Sequence, residues 1–191
     1  MADIVLTNIS KRYQNEQIID GFSYSYRSGG IYCVMGASGV GKTTLLQIIT
    51  GLTYADAGSI QAEGRFSMVF QENRLVEELT PVTNVKLVLS GVKEEDICRE
   101  LKRVLPQNCF YKKCSELSGG MKRRVAIVRA MMHPSDFVVM DEPFAGLDEA
   151  SKQMTMEYIL NNRNDRTLIF VSHDREESVQ MNAEICLLTR E

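Results

Sequence analysis

The chain has 191 residues, of which 44% are hydrophobic and 25% are charged, and its formal net charge is −3. This composition is typical of one globular domain with a buried core. It excludes the strongly basic field that draws a protein to nucleic acid or anionic lipid. The five cysteines form no Cys-x-x-Cys pair, so we expect reduced thiols in a cytosolic protein and no zinc site.

The chain also lacks the signals of export and membrane insertion. Residues 1–5 carry no basic and apolar leader, and no apolar run reaches the roughly 18 residues of a transmembrane helix. We therefore expect another chain to hold the protein at any membrane where it works. We also expect no regulatory domain after residue 191.

The first thirty residues predict a small antiparallel sheet. Apolar and polar residues alternate over 3–9, and residues 18–19 and 22–26 give two further short strand patterns. Residues 27–30 read Arg-Ser-Gly-Gly, which is typical of a turn.

Residues 36–43 read Gly-Ala-Ser-Gly-Val-Gly-Lys-Thr and match the phosphate-binding pattern G-x-x-x-x-G-K-[ST]. An apolar run at 31–35 precedes them and a helix-like run at 44–49 follows, which is the context that the pattern requires. The glycines let successive N–H groups point at an anion, and the helix adds its positive end. This context disfavours the alternative of an ordinary glycine-rich turn. The residues assigned to phosphate binding are Gly36, Ser38, Gly39, Val40, Gly41, Lys42, Thr43 and Thr44.

The middle of the chain changes from strand patterns to helix patterns. Residues 58–64 and 66–70 predict strands, and Gln71 stands at the end of the second. Residues 83–90 and 94–104 then predict helices, with Pro106 ending the second. We expect one domain over 1–191, whose subdomains are an antiparallel sheet at 1–30, an α/β core at 31–71 and 125–191, and a helical insert at 72–124.

The last third alternates between helices and buried strands. The predicted elements are helices at 121–132, 148–160 and 175–181, and strands at 137–140, 168–171 and 185–188. Parallel strands in an α/β sheet present ligand sites at their carboxyl ends. We therefore expect the residues that follow the strands ending at Met35, Met140 and Val171 to converge on one crevice.

Four polar residues at strand ends are candidates for the chemistry. Of the adjacent Asp141 and Glu142, one carboxylate can help to hold Mg²⁺, and the other can orient or deprotonate an attacking water. Gln71 can bind Mg²⁺ and contact the same water. His173 can contact a terminal phosphate or position the pair of carboxylates. Each has an ordinary alternative: solvated acids, a surface amide and a structural histidine.

The segment Leu117-Ser118-Gly119-Gly120-Met121 strongly resembles the signature sequence of ABC-type ATPases. A Ser-Gly-Gly turn at a helix start is a second anion site, which suits a chain that pairs with another copy. The rest of the chain resembles the same family in order. Tyr13 matches the aromatic residue that stacks on adenine, residues 36–43 the Walker A loop, Gln71 the Q-loop, residues 137–142 Walker B, Asp148 the D-loop and His173 the switch histidine.

This resemblance implies an α/β fold with a P-loop NTPase core of parallel strands, an antiparallel β subdomain and a short helical insert. It implies ATP and Mg²⁺ as ligands, with the metal on Thr43, Gln71 and Asp141, and Glu142, His173 and Gln71 as catalytic residues. It also implies a head-to-tail dimer in which Ser118 and its neighbours meet the ATP of the other copy. Met121 departs from the usual glutamine, and Ala145-Gly146 from the usual small pair.

Residues 70–85 resemble the ATPase subunits of bacterial importers for nitrate, sulfonates and taurine. This implies transport of a small anion, with an integral membrane permease and a substrate-binding protein as partners, at the inner face of the cell membrane. Leu75, Val76 and Leu79 form either a docking surface for the permease or ordinary core. A mechanical or regulatory ATPase of cell-division or lipoprotein-release type is the alternative. The basic residues Lys122, Arg123, Arg124 and Arg129 are interpreted as the polar face of the signature helix, not as a nucleic-acid site.

Overall fold

The computed structural model describes residues 3–189. The strands are β1 (Ile4–Tyr13), β2 (Glu16–Tyr26), β3 (Ile31–Met35), β4 (Ala57–Gln61), β5 (Phe66–Val69), β6 (Phe137–Asp141), β7 (Thr167–Val171) and β8 (Glu184–Leu187). The α-helices are α1 (Lys42–Ile49), α2 (Pro81–Lys86), α3 (Glu94–Lys102), α4 (Gly119–Met132), α5 (Glu149–Asn162) and α6 (Arg175–Gln180). The expectation of no export signal falls partly on Met1 and Ala2, which lie outside the described residues.

The chain divides into two compact units. The first comprises residues 1–68, 135–142 and 165–191, and the second comprises residues 69–134 and 143–164. The first unit contains nearly all of the strands, whereas the second is helical. No helix within residues 3–189 is both long enough and apolar enough to cross a bilayer.

A five-stranded sheet in the order β5-β6-β7-β3-β8 forms the centre of the first unit. The pairs β6–β7, β7–β3 and β3–β8 are all parallel, as the sequence predicts. Every residue of β6 and β7 is buried, which explains why these strands read as unbroken apolar runs. The carboxyl ends of β6, β7 and β3 therefore lie side by side.

A three-stranded antiparallel sheet in the order β2-β1-β4 completes the first unit. The two short strand patterns predicted at 18–19 and 22–26 belong to one long strand, β2. Only the two residues Gln14 and Asn15 separate this strand from β1. The third strand, β4, comes from beyond residue 30 and pairs Leu6 with Ile60. Gly58 lies so close to β1 that an added Cβ would stand 2.4 Å from the Thr7 carbonyl oxygen.

One apolar core joins the two sheets and α1. Ile4 and Ile9 of β1, Leu45 of α1, Val139 of β6 and Val171 of β7 are all buried in it. The helix α1 ends at Ile49, and the φ of 72° at Gly51 permits the chain to reverse direction after it. The N–H groups of Gly51 and Leu52 then satisfy the last carbonyls of the helix, at Ile48 and Gln47.

The second unit contains α2, α3, α4 and α5, together with two 3-10 turns at Gln107–Cys109 and Cys114–Glu116. The helix predicted at 83–90 begins two residues earlier, because Thr80 caps it and Pro81 occupies its first turn. The buried Asn84 side chain hydrogen-bonds both the N–H and the carbonyl of Val76. This amide therefore fixes the loop before α2.

Candidate nucleotide-binding site

The loop at residues 36–43 connects β3 to α1 and has the geometry of an anion cradle. Gly39 and Gly41 have φ values of 75° and 108°, which turn the backbone in a way that favours glycine. Gly41 caps α1 without any side-chain hydrogen bond, and the first turn holds no acidic residue. The positive end of the helix is thus open to an anion. Ser38 is exposed, Thr44 is half-buried and Val40 is packed into the core.

The side chain of Lys42 folds back onto the loop that precedes α1. Its Nζ donates to the carbonyl oxygens of Gly36, at 2.9 Å, and Ala37, at 2.8 Å. Burial lowers the pKa of Lys42, while the carboxylates of Glu142 and Asp141 act in the opposite direction. The amine is therefore held against the loop and in the field of the acids that follow β6.

Thr43 and Asp141 form the first pair that joins the loop to β6. The Thr43 hydroxyl donates to Asp141 Oδ2 at 2.8 Å, and Asp141 is only 2% exposed. Hydroxyl and carboxylate oxygens suit Mg²⁺, which takes few protein ligands and completes its shell with water and phosphate oxygens. Within residues 3–189, His, Cys, Asp and Glu form no group of three or more that could hold a metal ion.

Glu142 and His173 form the second pair. His173 Nε2 lies 2.8 Å from Glu142 Oε1, so the ends of β6 and β7 are joined directly. Glu142 has a φ of 48°, a left-handed conformation that is rare outside glycine. Behind the histidine, the Ser172 hydroxyl donates to the buried Glu177 at 2.6 Å. This hydrogen bond therefore attaches the residue before His173 to α6.

The expected convergence of the strand ends is observed in the first unit. The five predicted residues at the ends of β3, β6 and β7 lie in this unit: Lys42, Thr43, Asp141, Glu142 and His173. The two short contacts above link Thr43 to Asp141 and Glu142 to His173. An open cleft of about 360 Å³ runs along residues 36–40 and 187–189. Tyr13 is also in this unit, at the end of β1 and 45% exposed, and its adenine-stacking role stays a prediction.

The remaining predicted site residues lie in the second unit. Gln71 follows β5 and is exposed. Ser118 caps α4, with its hydroxyl accepting from the Met121 N–H at 3.2 Å, and Leu117 is buried. An added Cβ at Gly119 would meet nothing, whereas at Gly120 it would approach a Leu147 methyl group at 3.1 Å.

Asp148 caps α5 in the same unit. It accepts from the Ser151 N–H at 2.9 Å, and hydrogen bonds from Ser151 hold the pKa of Asp148 below its usual value. A cap residue is fixed in orientation by its own helix. The roles assigned to Gln71, the signature residues and Asp148 stay predictions.

The interpretation of the α4 arginines as a polar face is wrong for Arg123. Arg123 is 4% exposed, and its guanidinium bonds carbonyl groups of two other segments. The sequence contains a signal for this burial. Ala126 and Ile127, three and four residues further along α4, are both buried, so helical spacing puts position 123 on the same face.

Comparison with known proteins identifies the family. The family model described as "ABC transporter" matches residues 19–145, which is more than half of the chain. The chain belongs to this family. The match extends from β2 of this ABC cassette through both units to the segment after β6.

Relatives of this ABC cassette are ATP-binding proteins of import systems. The bicarbonate transport ATP-binding protein CmpD of Synechococcus elongatus is 30% identical over 97% of this chain and 75% of the relative. The aliphatic sulfonates import ATP-binding protein SsuB of Bacillus cereus is 32% identical over 98% of this chain and 80% of the relative. The spermidine/putrescine import ATP-binding protein PotA of Mycoplasma capricolum is 32% identical over 97% of this chain. The chain spans only 58% of the length of that PotA protein.

Solved structures show the same fold. A dimeric ATP-binding cassette in a post-hydrolysis state, bound to ADP and Pi, superposes with a TM-score of 0.86 and 26% identity. The superposition covers 97% of this chain and 94% of that one. The dimeric structure of a bacterial ABC transporter cassette matches equally well. The expected P-loop NTPase architecture, with a parallel core, an antiparallel sheet and helices, is thereby confirmed.

Proposed function

We propose that this ABC cassette binds and hydrolyses ATP with Mg²⁺, as a head-to-tail dimer that energises a membrane importer. One observation carries the proposal. Beside a glycine-rich anion cradle, Thr43 contacts Asp141 and Glu142 contacts His173, each at 2.8 Å. A hydroxyl, two carboxylates and an imidazole at adjacent strand ends are the groups that phosphoryl transfer to water requires.

The loop residues bind the phosphates. The N–H groups of the cradle and the start of α1 face the anionic oxygens. Lys42 exchanges its carbonyl partners in the loop for phosphate oxygens. Thr43 and Asp141 would hold Mg²⁺, which would neutralise the charge that develops on the phosphates.

Glu142 acts on the attacking water. Its carboxylate accepts a hydrogen bond from the water and orients or deprotonates it, which is a general-base role worth about 10²- to 10⁴-fold in rate. His173 Nε2, already at Glu142 Oε1, keeps that carboxylate oriented. The left-handed conformation of Glu142 turns its side chain out of the line of β6.

The signature segment completes the site of a second copy. Ser118, Gly119 and Gly120 begin α4, and Gly119 leaves open space where a side chain would stand, so a phosphate can approach the backbone closely. Asp148 at the start of α5 would lie at the same dimer interface. The dimeric state of the related cassette bound to ADP and Pi supports this arrangement.

The test of the catalytic proposal is Glu142→Gln. Glutamine keeps the shape and the acceptor oxygen opposite His173 but removes the charge. We expect ATP affinity to be retained, kcat to fall by about 10²- to 10⁴-fold, and a stable dimer to form at saturating MgATP. The matched control is Glu176→Gln, which removes the same charge from an exposed position on α6. Hydrolysis by Glu142→Gln at the wild-type rate would exclude Glu142 as the base.

The transport part of the proposal places the protein in the cytoplasm, on the inner face of the cell membrane, with a permease and a substrate-binding protein as partners. The relatives named for bicarbonate and sulfonates support a small-anion cargo. Val76, 46% exposed, would contact the permease together with the half-buried Leu75 and Leu79.

Affinity purification of the tagged protein from membranes dissolved in mild detergent tests this part. We expect a protein with several membrane spans to co-purify and Val76→Glu to abolish its recovery. Co-purification of a protein with few spans and a large external domain would instead support a mechanical role. Recovery of no membrane protein would contradict the transport proposal.

A further inference from the structure

Arg123 of α4 connects two chain segments that are far apart in sequence. Its Nη1 donates to the carbonyl oxygen of Phe70 by a short hydrogen bond and to that of Gln71 at 3.3 Å. The same nitrogen reaches Asn73 Oδ1 at 3.4 Å. Its Nε donates to the Pro143 carbonyl at 3.2 Å. One buried guanidinium thus holds both the segment after β5 and the segment after β6.

A second arginine of α4 holds the same segment after β5. Arg129 donates to the carbonyl oxygens of Arg74, at 2.9 Å, and Asn73, at 3.2 Å. The guanidinium carbon of Arg74 lies 3.6 Å from the centre of the Phe70 ring. The segment 70–74, with Arg74 at a φ of 46°, is therefore attached to α4 near both of its ends.

Burying a guanidinium costs free energy unless several acceptors replace its water. Arginine suits this position because its planar fork presents donors in fixed directions, so one side chain can satisfy carbonyls of two segments. Lysine has a single nitrogen and cannot replace Nε and Nη1 together. The hydrogen bonds of Arg123 therefore fix the distance between the segment after β5 and the segment after β6.

The two segments carry residues of the proposed chemistry. Gln71 is itself a proposed ligand of Mg²⁺ and water, and Pro143 directly follows Glu142. Glu142 has a φ of 48° before a proline, a position where extended conformations are preferred. Such strain persists only when surrounding contacts over-determine it. The hydrogen bond from Arg123 to the Pro143 carbonyl is one such contact.

We propose that Arg123 is a positioning residue for hydrolysis, which from the helix that carries the signature sequence holds the backbone of Gln71 and that of Pro143, the residue after the proposed base. The inference rests on the proposed function. It adds that one side chain of α4, the helix whose start would meet the nucleotide of the second copy, holds both the Gln71 segment and the segment that begins at Pro143. A movement of α4 then moves Gln71 and the backbone beside Glu142 together.

The first test does not depend on activity. Backbone hydrogen exchange is followed by mass spectrometry in the wild type, Arg123→Gln and Lys122→Gln. Lys122 is the matched control, because it is the neighbouring cation on α4 and pairs only with the exposed Glu77 in the contacts described, at 2.7 Å. We expect exchange in peptides covering 70–74 to accelerate by roughly tenfold or more in Arg123→Gln, and to stay unchanged in Lys122→Gln. Equal exchange in all three proteins would overturn the inference.

The second test is kinetic. Misplacing a catalytic group by about 1 Å can cost about 10²-fold in rate, so we expect kcat of Arg123→Gln to fall by about 10- to 100-fold with the KM for ATP nearly unchanged. The Mg²⁺ concentration for half-maximal activity should rise, because Gln71 is displaced. Gln71→Ala should lower kcat by a smaller factor in Arg123→Gln than in the wild type, because the effects of two residues that act through the same contact are not additive.

The outcomes separate this inference from the proposed function. An inactive wild-type protein would refute the proposed function, and the catalytic role of Arg123 with it. An active wild type with full activity in Arg123→Gln, or with additive losses in the double variant, would refute only the role of Arg123. If Arg123→Gln fails to fold, Arg123→Lys keeps the charge but not the fork. Full activity in that variant would likewise refute the inference.

Discussion

Adding one methyl group at Gly41 or at Gly39 compares two glycines of the same phosphate-binding loop. Both have positive φ, 108° and 75°. A Cβ at Gly39 would meet nothing within 4 Å, whereas at Gly41 it would stand 2.8 Å from Ile18 Cγ2 and 3.2 Å from the Ile18 carbonyl oxygen. The two substitutions to alanine therefore differ in packing much more than in chemistry.

The expected losses of stability follow from these distances. At Gly39 the cost is the left-handed backbone alone, about 1–2 kcal/mol. At Gly41 the backbone lies further from the left-handed helical region and costs about 1–3 kcal/mol, and overpacking against β2 adds about 1–3 kcal/mol. We expect Gly41→Ala to be the less stable protein by about 2–4 kcal/mol, a large fraction of the about 5–15 kcal/mol that stabilises an ordinary domain.

Urea unfolding followed by circular dichroism measures the difference. With a denaturant slope of about 2 kcal/mol/M, the midpoint of Gly41→Ala should lie about 1–2 M below that of Gly39→Ala. The double variant Gly41→Ala/Ile18→Ala removes the crowding side chain and should recover part of the gap. Equal midpoints for the two single variants would contradict the expectation that Ile18 of β2 crowds a methyl group added at Gly41.

Three further predictions concern the signature, the metal and alkaline pH. Ser118→Arg should leave ATP affinity of the monomer unchanged by calorimetry and abolish hydrolysis, and full activity would contradict a site shared between two copies. Thr43→Val should raise the Mg²⁺ requirement of hydrolysis by about 10- to 100-fold while Thr43→Ser does not, and equal requirements would exclude the hydroxyl as a ligand. Burial raises the pKa of the Cys33 thiol from 9.0 to about 12, so the unfolded chain loses this proton first and stability falls as pH rises above about 9. In urea unfolding at pH 8 to 11, Cys33→Ala should lose stability less steeply, by at most about 1.4 kcal/mol per pH unit, and parallel curves would contradict this assignment.

The sequence predicts those parts of the site that depend on local pattern. The convergence of the residues after Met35, Met140 and Val171 could be predicted, because buried apolar strands and their polar ends can be recognised from neighbouring residues alone. Helices α4 and α5 begin within two residues of the predicted positions 121 and 148, directly after Ser118 and Asp148, which are residue types that prefer the cap position. These features require no knowledge of which distant segments pair.

Features that depend on distant contacts could not be predicted in this way. The segment 57–61 reads Ala-Gly-Ser-Ile-Gln, a weak strand pattern, and it joins the antiparallel sheet because Gly58 can lie against the β1 backbone. The conformation of Glu142 is imposed by its surroundings against local preference. Arg123 reads as a surface charge until its carbonyl partners, 52 and 20 positions away in the chain, are known.

The position of β3 between β7 and β8 has a consequence for how the protein is made. During synthesis from the ribosome, β3 and the phosphate-binding loop emerge early, but both neighbours of β3 are encoded more than 130 residues later. Strand pairing over such sequence distances forms slowly, because the entropy cost of closing a long loop comes before any stabilising contact is made. The helical second unit can form in the meantime from contacts within its own segments. A nascent chain thus carries the complete phosphate-binding motif while both parallel neighbours of β3 are missing, and the first of them, β7, exists only after residues 167–171 have been synthesised.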